Sequence, residues 1–219
     1  MSEDDGDFAP SKLGTKDHWD NFYEAEYENY NDHGDEGEIW FGHQAEQRML
    51  QWIRTHVTDQ RKSFVDIGCG NGHLLLEIGK SGYSELTGVD YSATATRLAR
   101  KLSKDNEVPV EFETVDILDP TCAFVQKKRF DVVLDKGTYD AISLSADKLQ
   151  ARRNYLESVS SLMSPAGSFF LITSCNWTVE ELKQHFAPHF RYHSQVDAPV
   201  FSFGGQKGAQ TCTVAFQLL

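Results

Sequence analysis

The nine residues Phe64-Val65-Asp66-Ile67-Gly68-Cys69-Gly70-Asn71-Gly72 constrain this chain more than any other segment. A short apolar run that stops on alternate glycines reads as a buried strand breaking into a tight turn that opens a helix. Such a turn lets the backbone approach a nucleotide-like ligand closely. Around it, apolar runs at 64–67, 85–89, 110–115, 130–134 and 168–173 alternate with helical patterns that start at Gly72 and Ser92 and cover 147–163 and 178–186. That alternation predicts an α/β fold, a mostly parallel sheet with helices on both faces. The end differs: 190–196 and 211–218 are extended runs joined by Gly204-Gly205-Gln206-Lys207-Gly208, which predicts an antiparallel hairpin closing the sheet.

Ahead of this region, Trp19, Phe22, Tyr23, Tyr27 and Tyr30 follow helical spacing, with Asp20, Glu24 and Glu28 on the other side, so this helix is expected to dock. A second helix is expected from about Gln44, with Met49, Trp52 and Ile53 as its apolar face. Residues 1–14 read as a disordered acidic leader, 15–42 as a helical and aromatic extension, and 43–219 as the main α/β domain. The net charge of −12 is unevenly spread, since residues 1–40 hold 13 acidic and 2 basic side chains. Such a segment repels phosphate backbones and suits a basic protein surface, which counts against nucleic acid as a partner. No apolar run approaches the roughly 18 residues of a membrane span, so no membrane partner is expected. The four cysteines, Cys69, Cys122, Cys175 and Cys212, form no Cys-x-x-Cys, so neither a metal site nor a disulfide framework is expected. The start, Met1-Ser2-Glu3-Asp4-Asp5, lacks the basic and apolar parts of a secretory signal, which predicts a cytoplasmic protein, with the nucleus also open to it.

The residues at successive strand ends indicate which nucleotide-like ligand is meant. A dinucleotide fingerprint would place glycine or alanine where this chain has His73, and would need a pyrophosphate on the helix N-terminus. Asp66, just ahead of the turn, would repel pyrophosphate but suits the cationic amino and sulfonium groups of S-adenosylmethionine. Asp90 ends the next strand, where a carboxylate can accept both ribose hydroxyls, and Asp116 with Ile117 follows the third, giving an acceptor for the adenine amine and an apolar neighbour for its ring. Each acid alone could be a helix cap or a loop residue. Three acids at three successive strand ends after one glycine-rich turn make that coincidence hard to sustain.

The segment from Phe64 to about Phe170 resembles a class I, seven-stranded S-adenosylmethionine-dependent methyltransferase. The resemblance implies the Rossmann-like strand order 3-2-1-4-5-7-6, with the antiparallel hairpin at its end. It carries cofactor contacts onto Asp66, Gly68, Cys69, Gly70 and Asp90, and onto Tyr91, Ser92, Asp116, Ile117 and Asp135. Three further pieces sharpen it: Trp19 to Tyr30 with Gly37-Glu38-Ile39-Trp40-Phe41-Gly42, the strand end Leu134-Asp135-Lys136-Gly137-Thr138-Tyr139-Asp140, and Phe203-Gly204-Gly205. Together these resemble the eukaryotic lysine methyltransferases that act on translation elongation factor 1-alpha. The implied protein is a monomeric enzyme with a protein substrate. Asp135 and Tyr139 are then the expected catalytic residues, Lys136 and Tyr139 the expected substrate contacts, and Trp40 the expected cofactor lid. The structural alternatives are that Lys136 pairs with Asp140, that Tyr139 is core and that Trp40 only packs. A methyltransferase for another protein or a small amine, and a non-catalytic scaffold of the same fold, stay open on the sequence alone.

Overall fold

The computed structural model describes residues 8–165, 167–197, 201–203, 206–208 and 211–219. After a short 3-10 turn (Lys12–Gly14) come helices α1 (Lys16–His33) and α2 (Gly42–His56), then strand β1 (Phe64–Ile67), α3 (His73–Lys80), β2 (Leu86–Asp90), α4 (Ala93–Asp105) and β3 (Glu111–Thr114). The second half runs α5 (Ala123–Lys127), β4 (Val132–Lys136), α6 (Thr138–Ile142), α7 (Lys148–Leu162), β5 (Phe169–Ser174), α8 (Val179–Phe186) and β6 (Phe190–Val196). A small ladder of β7 (Phe201–Phe203) with β8 (Gln206–Gly208) precedes the last strand, β9 (Cys212–Leu218). The main sheet has seven strands in the order β3-β2-β1-β4-β5-β9-β6, and β9 is antiparallel to both of its neighbours. This is the expected order, with β9 as the seventh strand. The Phe203-Gly204-Gly205 motif is only partly described, since Gly204 and Gly205 lie outside the described residues.

Strand periodicity sorts the core onto two faces. Val65, Val133, Phe170 and Ile172 point to one face with Tyr155 and Val159 of α7. Phe64, Leu134 and Leu171 point to the other with Met49, Trp52 and Ile53 of α2 and Leu74 and Leu75 of α3. Helix starts follow their capping residues. Ser92 accepts from Ala95 N at the start of α4, and Thr178 forms a capping box with Glu181 at α8.

Helix α1 docks on α4 as its aromatic face requires. Tyr23 is buried there with Leu98 and Leu102, and Trp19, Phe22, Tyr27 and Tyr30 cover the same cluster. The Arg97 guanidinium lies 3.9 Å from the centre of the Tyr27 ring and donates to Glu24 Oε1 at 3.0 Å. The leader expected over 1–14 is corrected over residues 8–14, because these are built into the fold. Ser11 N donates to Leu144 O at 3.0 Å, Trp19 Nε1 donates to Leu13 O at 2.7 Å, and the Phe8 ring meets Trp177 edge-on at 4.9 Å. Aromatic contacts and backbone hydrogen bonds outweigh the low apolar content that made the segment look disordered. Residues 1–7 lie outside the described residues.

Candidate active site

The turn after β1 is shaped by close approach. Gly68 and Gly70 adopt positive φ (67° and 55°), and a β-carbon on Gly68 would run into Thr138 Oγ1, while one on Gly70 would run into the Tyr23 hydroxyl. The Asp90 carboxylate stitches this turn to α4: Oδ2 accepts from Gly70 N at 3.0 Å and Oδ1 from Ser92 N at 2.9 Å. Burial pushes its carboxyl up to about 6, against the pull of those two N–H groups. Each oxygen keeps a further lone-pair direction, and Asp90 lines a cavity at the carboxyl ends of the strands.

Val115, Asp116, Ile117 and Leu118 form one end of that cavity, with Asp116 Oδ1 accepting from Leu118 N at 2.9 Å. Trp19, Tyr23, Trp40 and Phe41 cover it, together with Leu13, Gly14 and Tyr91. At the other end stand Lys136 at the end of β4, Thr138 and Asp140 of α6, and Cys175 and Asn176 just after β5. A polar recess opens beside it, sharing Tyr23, Trp40, Gly68 and Lys136 with the cavity and adding Asp66, Cys69 and Gly70.

Asp66 is 3% exposed and its Oδ1 is buried with no hydrogen-bond partner. Burial pushes the Asp66 carboxyl above the usual carboxylate range, while the nearby Lys136 ammonium pulls it back. Burial also pulls Lys136 down, opposed by Asp66 and then Glu46. Lys136 Nζ donates to Trp40 O at 3.1 Å, so it holds the loop ahead of α2 and does not pair with Asp140. The indole N–H of Trp40 is also buried without a partner. These features fit S-adenosylmethionine: the orphaned Asp66 oxygen would take a cationic amino group, Asp90 the ribose hydroxyls, and Asp116 with Ile117 the adenine.

Three expected site residues are not brought to the cavity. Asp135 is fully buried, with Oδ1 accepting from Thr138 N at 2.8 Å and Oδ2 from Tyr139 N at 2.9 Å and the Tyr155 hydroxyl at 2.5 Å. It anchors the start of α6 and does not line the cavity, and burial pushes it up to about 7. Tyr139, 1% exposed, is core, packed against Tyr155 and Phe186, with its hydroxyl 3.0 Å from His185 Nδ1. Ser92, fully buried, is the cap of α4. Conversely, Asp140, Asn176, Phe41 and the Leu13-Gly14 pair line the cavity and were missed by sequence reasoning. Asp140 stood in the quoted motif, but only the start of α6 at Thr138 decides which of its two acids faces inward.

Comparison with known proteins places this geometry in a lineage. A family model described as a methyltransferase domain matches residues 58–211. The chain is similar to EEF1A lysine methyltransferase 2 of Danio rerio, 41% identical over 96% of this chain and 90% of that protein. It is likewise similar to protein-lysine N-methyltransferase efm4 of Schizosaccharomyces pombe, 41% identical over 95% of this chain and 94% of that protein. Among solved structures it shares the fold of a S-adenosylmethionine-dependent methyltransferase from Clostridium acetobutylicum (TM-score 0.64, 11% identity, 90% of this chain and 98% of that one). The same holds for magnesium protoporphyrin IX methyltransferase of Synechocystis with bound SAM (TM-score 0.60, 14% identity, 89% and 95%). With the strand order, the glycine turn and the three strand-end acids all in place, the chain belongs to the methyltransferase-domain family, in the branch that holds EEF1A lysine methyltransferase 2 and efm4.

Proposed function

We propose that this chain is a protein-lysine N-methyltransferase that moves methyl groups from S-adenosylmethionine to a lysine side chain of translation elongation factor 1-alpha. The observation that carries the substrate is the 41% identity over nearly the whole of both chains to relatives named for that activity. The site supports the chemistry. The bound cofactor supplies an electrophilic methyl group on a sulfonium. Asp66, Asp90 and Asp116 hold its polar ends, and the aromatic cover of Trp19, Trp40 and Phe41 excludes water. A lysine with its ordinary pKa of about 10.4 is less than about 0.1% neutral at pH 7. The ammonium is disfavoured beside the cationic sulfonium, so the amine gives up its proton to reach the neutral state that attacks the methyl carbon as the sulfonium S–C bond breaks. The protein contributes orientation and desolvation, with no covalent intermediate on the chain.

The reading extends to a monomer that meets its protein substrate in the cytoplasm, with the nucleus also open to it. The free thiols of Cys69, Cys122, Cys175 and Cys212 support a reducing compartment. Among the described residues the exposed large apolar side chains are Leu149, Tyr192 and Leu219, too few for an extended apolar face, which supports the monomer. Incubating the purified chain with methyl-labelled cofactor and elongation factor 1-alpha tests the activity, with labelled lysine expected on the factor. Label on another protein from a lysate, with none on the factor, would overturn the substrate and leave the transfer chemistry standing.

A further inference from the structure

Among the described residues four charged side chains line the cavity: Asp90, Asp116, Lys136 and Asp140. Asp90 and Asp116 end β2 and follow β3, on one side of β1, at the positions suited to ribose and adenine. Lys136 is committed to the Trp40 carbonyl. Asp140 stands apart, on the other side of β1, with Cys175 and Asn176 beyond the end of β5. It is 5% exposed, and Oδ1 accepts from Ser174 Oγ at 2.5 Å and Oδ2 from Cys175 N at 2.8 Å. Ser174 Oγ is itself fixed, accepting from Asn176 N at 3.2 Å and Trp177 N at 3.1 Å. The carboxylate is therefore held in place at the cavity wall before any ligand arrives.

Its described hydrogen-bond partners are all neutral, although an ionised carboxylate offers about four acceptor directions and is costly to bury without a cation. Burial accordingly pushes the Asp140 carboxyl up, against the pull of Ser174 and Cys175. A ligand that brings a positive charge to this end of the cavity would relieve that cost. The four-carbon stem of a lysine matches the apolar cover, and its ammonium matches the acid.

We propose that Asp140 receives the ammonium of the incoming lysine and sets the position of its nitrogen, with the turn after β5 as the frame that holds the acid. This assignment rests on the lysine methyltransferase reading above. It replaces Asp135 and Tyr139 on the substrate side with a group that reaches the cavity.

The test uses n-butylammonium, which carries the lysine stem and charge, and n-butanol as its neutral counterpart, on protein saturated with S-adenosylhomocysteine. Wild type should bind n-butylammonium more tightly than n-butanol, and Asp140→Asn should lose roughly tenfold or more of that preference. The variant should keep its affinity for S-adenosylhomocysteine. In case the variant folds poorly, the carboxyl carbon resonance of Asp140 in wild type gives a second readout, and it should move with n-butylammonium and stay still with n-butanol. Equal binding of the two probes to wild type, or an Asp140 resonance that ignores n-butylammonium, would overturn the assignment. Asp140-dependent binding of n-butylammonium by a wild type that leaves elongation factor 1-alpha unlabelled would support it while sinking the substrate reading. Transfer to the factor by Asp140→Asn at unchanged KM would overturn it while leaving that reading intact.

Discussion

The Lys136 ammonium reaches across 3.1 Å to the carbonyl oxygen of Trp40, so the last residue of β4 ties down the loop ahead of α2. The same ammonium lies beside the buried Asp66 carboxylate, which it helps to keep ionised. One side chain thus couples the closure of the aromatic cover to the charge state of an acid in the recess.

Lys136→Met tests that coupling by keeping the stem and removing the charge. Asp66 loses its cation and takes up a proton more readily, and the Trp40 carbonyl loses its donor. Affinity for S-adenosylhomocysteine should fall about tenfold, the size of one charge-assisted hydrogen bond of about 1.5 kcal/mol. Calorimetry reads it directly. An unchanged Kd in a folded variant would mean that the cover closes without this tie.

The buried acids also set a pH dependence. Asp90 and Asp135 are pushed to about 6 and about 7 from an ordinary 3.8, in both cases mainly by burial. Because folding raises these pKa values, the stability they contribute is fully present below about 4 and is lost as pH rises through the folded values. The cofactor-free protein should therefore melt at a lower temperature at pH 8 than at pH 5. His193, lowered by burial, acts in the opposite sense, but it stands on an exposed edge strand and counts for less. A flat or rising melting temperature across that range would mean that the N–H and hydroxyl donors around these acids outweigh burial.

Much of this was legible in the sequence because the signals were periodic. Phe64–Ile67 and Phe190–Val196 fall on the strands expected, and the aromatic face of α1 docks where its spacing requires. β4 was read at 130–134 but runs from Val132 to Lys136, because the strand continues through two charged residues at which an apolar pattern stops. Residues 8–14 carry no repeat, only single anchors at Phe8, Ser11 and Leu13, and such anchors show no signal without their partners. Within Asp135-Lys136-Gly137-Thr138-Tyr139-Asp140, residue types announce chemistry but not direction. A helix that begins at Thr138 turns Asp135 inward to cap it and Asp140 toward the cavity.

Asp135 and Tyr139 should accordingly behave as structural residues. Asp135→Asn places an amide N–H₂ against at least one of the three donors it now accepts from. Leaving a buried donor unsatisfied costs about 1–3 kcal/mol, or a melting temperature lower by roughly 2–12 °C at this chain length. Tyr139→Phe removes the hydroxyl contact with His185, a hydrogen bond of about 0.5–1.5 kcal/mol. It should leave cofactor affinity and methyl transfer near wild type. A Tyr139→Phe variant that folds, binds cofactor and fails to transfer would return this residue to the reacting centre.

The N-terminal segment gives the last prediction, because Leu13 and Gly14 line the cavity while Phe8 and Ser11 are pinned outside it. Ser11 N is held by Leu144 O, Phe8 by Trp177, and the Phe8 carbonyl by Lys148 Nζ at 2.6 Å. Removing residues 1–14 should therefore strip one wall from the cavity, lowering the melting temperature and weakening S-adenosylhomocysteine binding. Deletion of 1–42 should do more damage, since it also bares the Leu98 and Leu102 face that α1 covers. A deletion confounds lost contacts with lost chain, so a point change is the sharper test. A β-carbon on Gly14 would collide with the Leu144 carbonyl and Ser145 N, backbone atoms that cannot swing aside. Gly14→Ala should lift the segment while keeping every other side chain, and should weaken S-adenosylhomocysteine binding in the same direction as the 1–14 deletion. If Gly14→Ala binds the ligand as wild type does while the deletion does not, the segment acts through its bulk and not through its seat on Leu144.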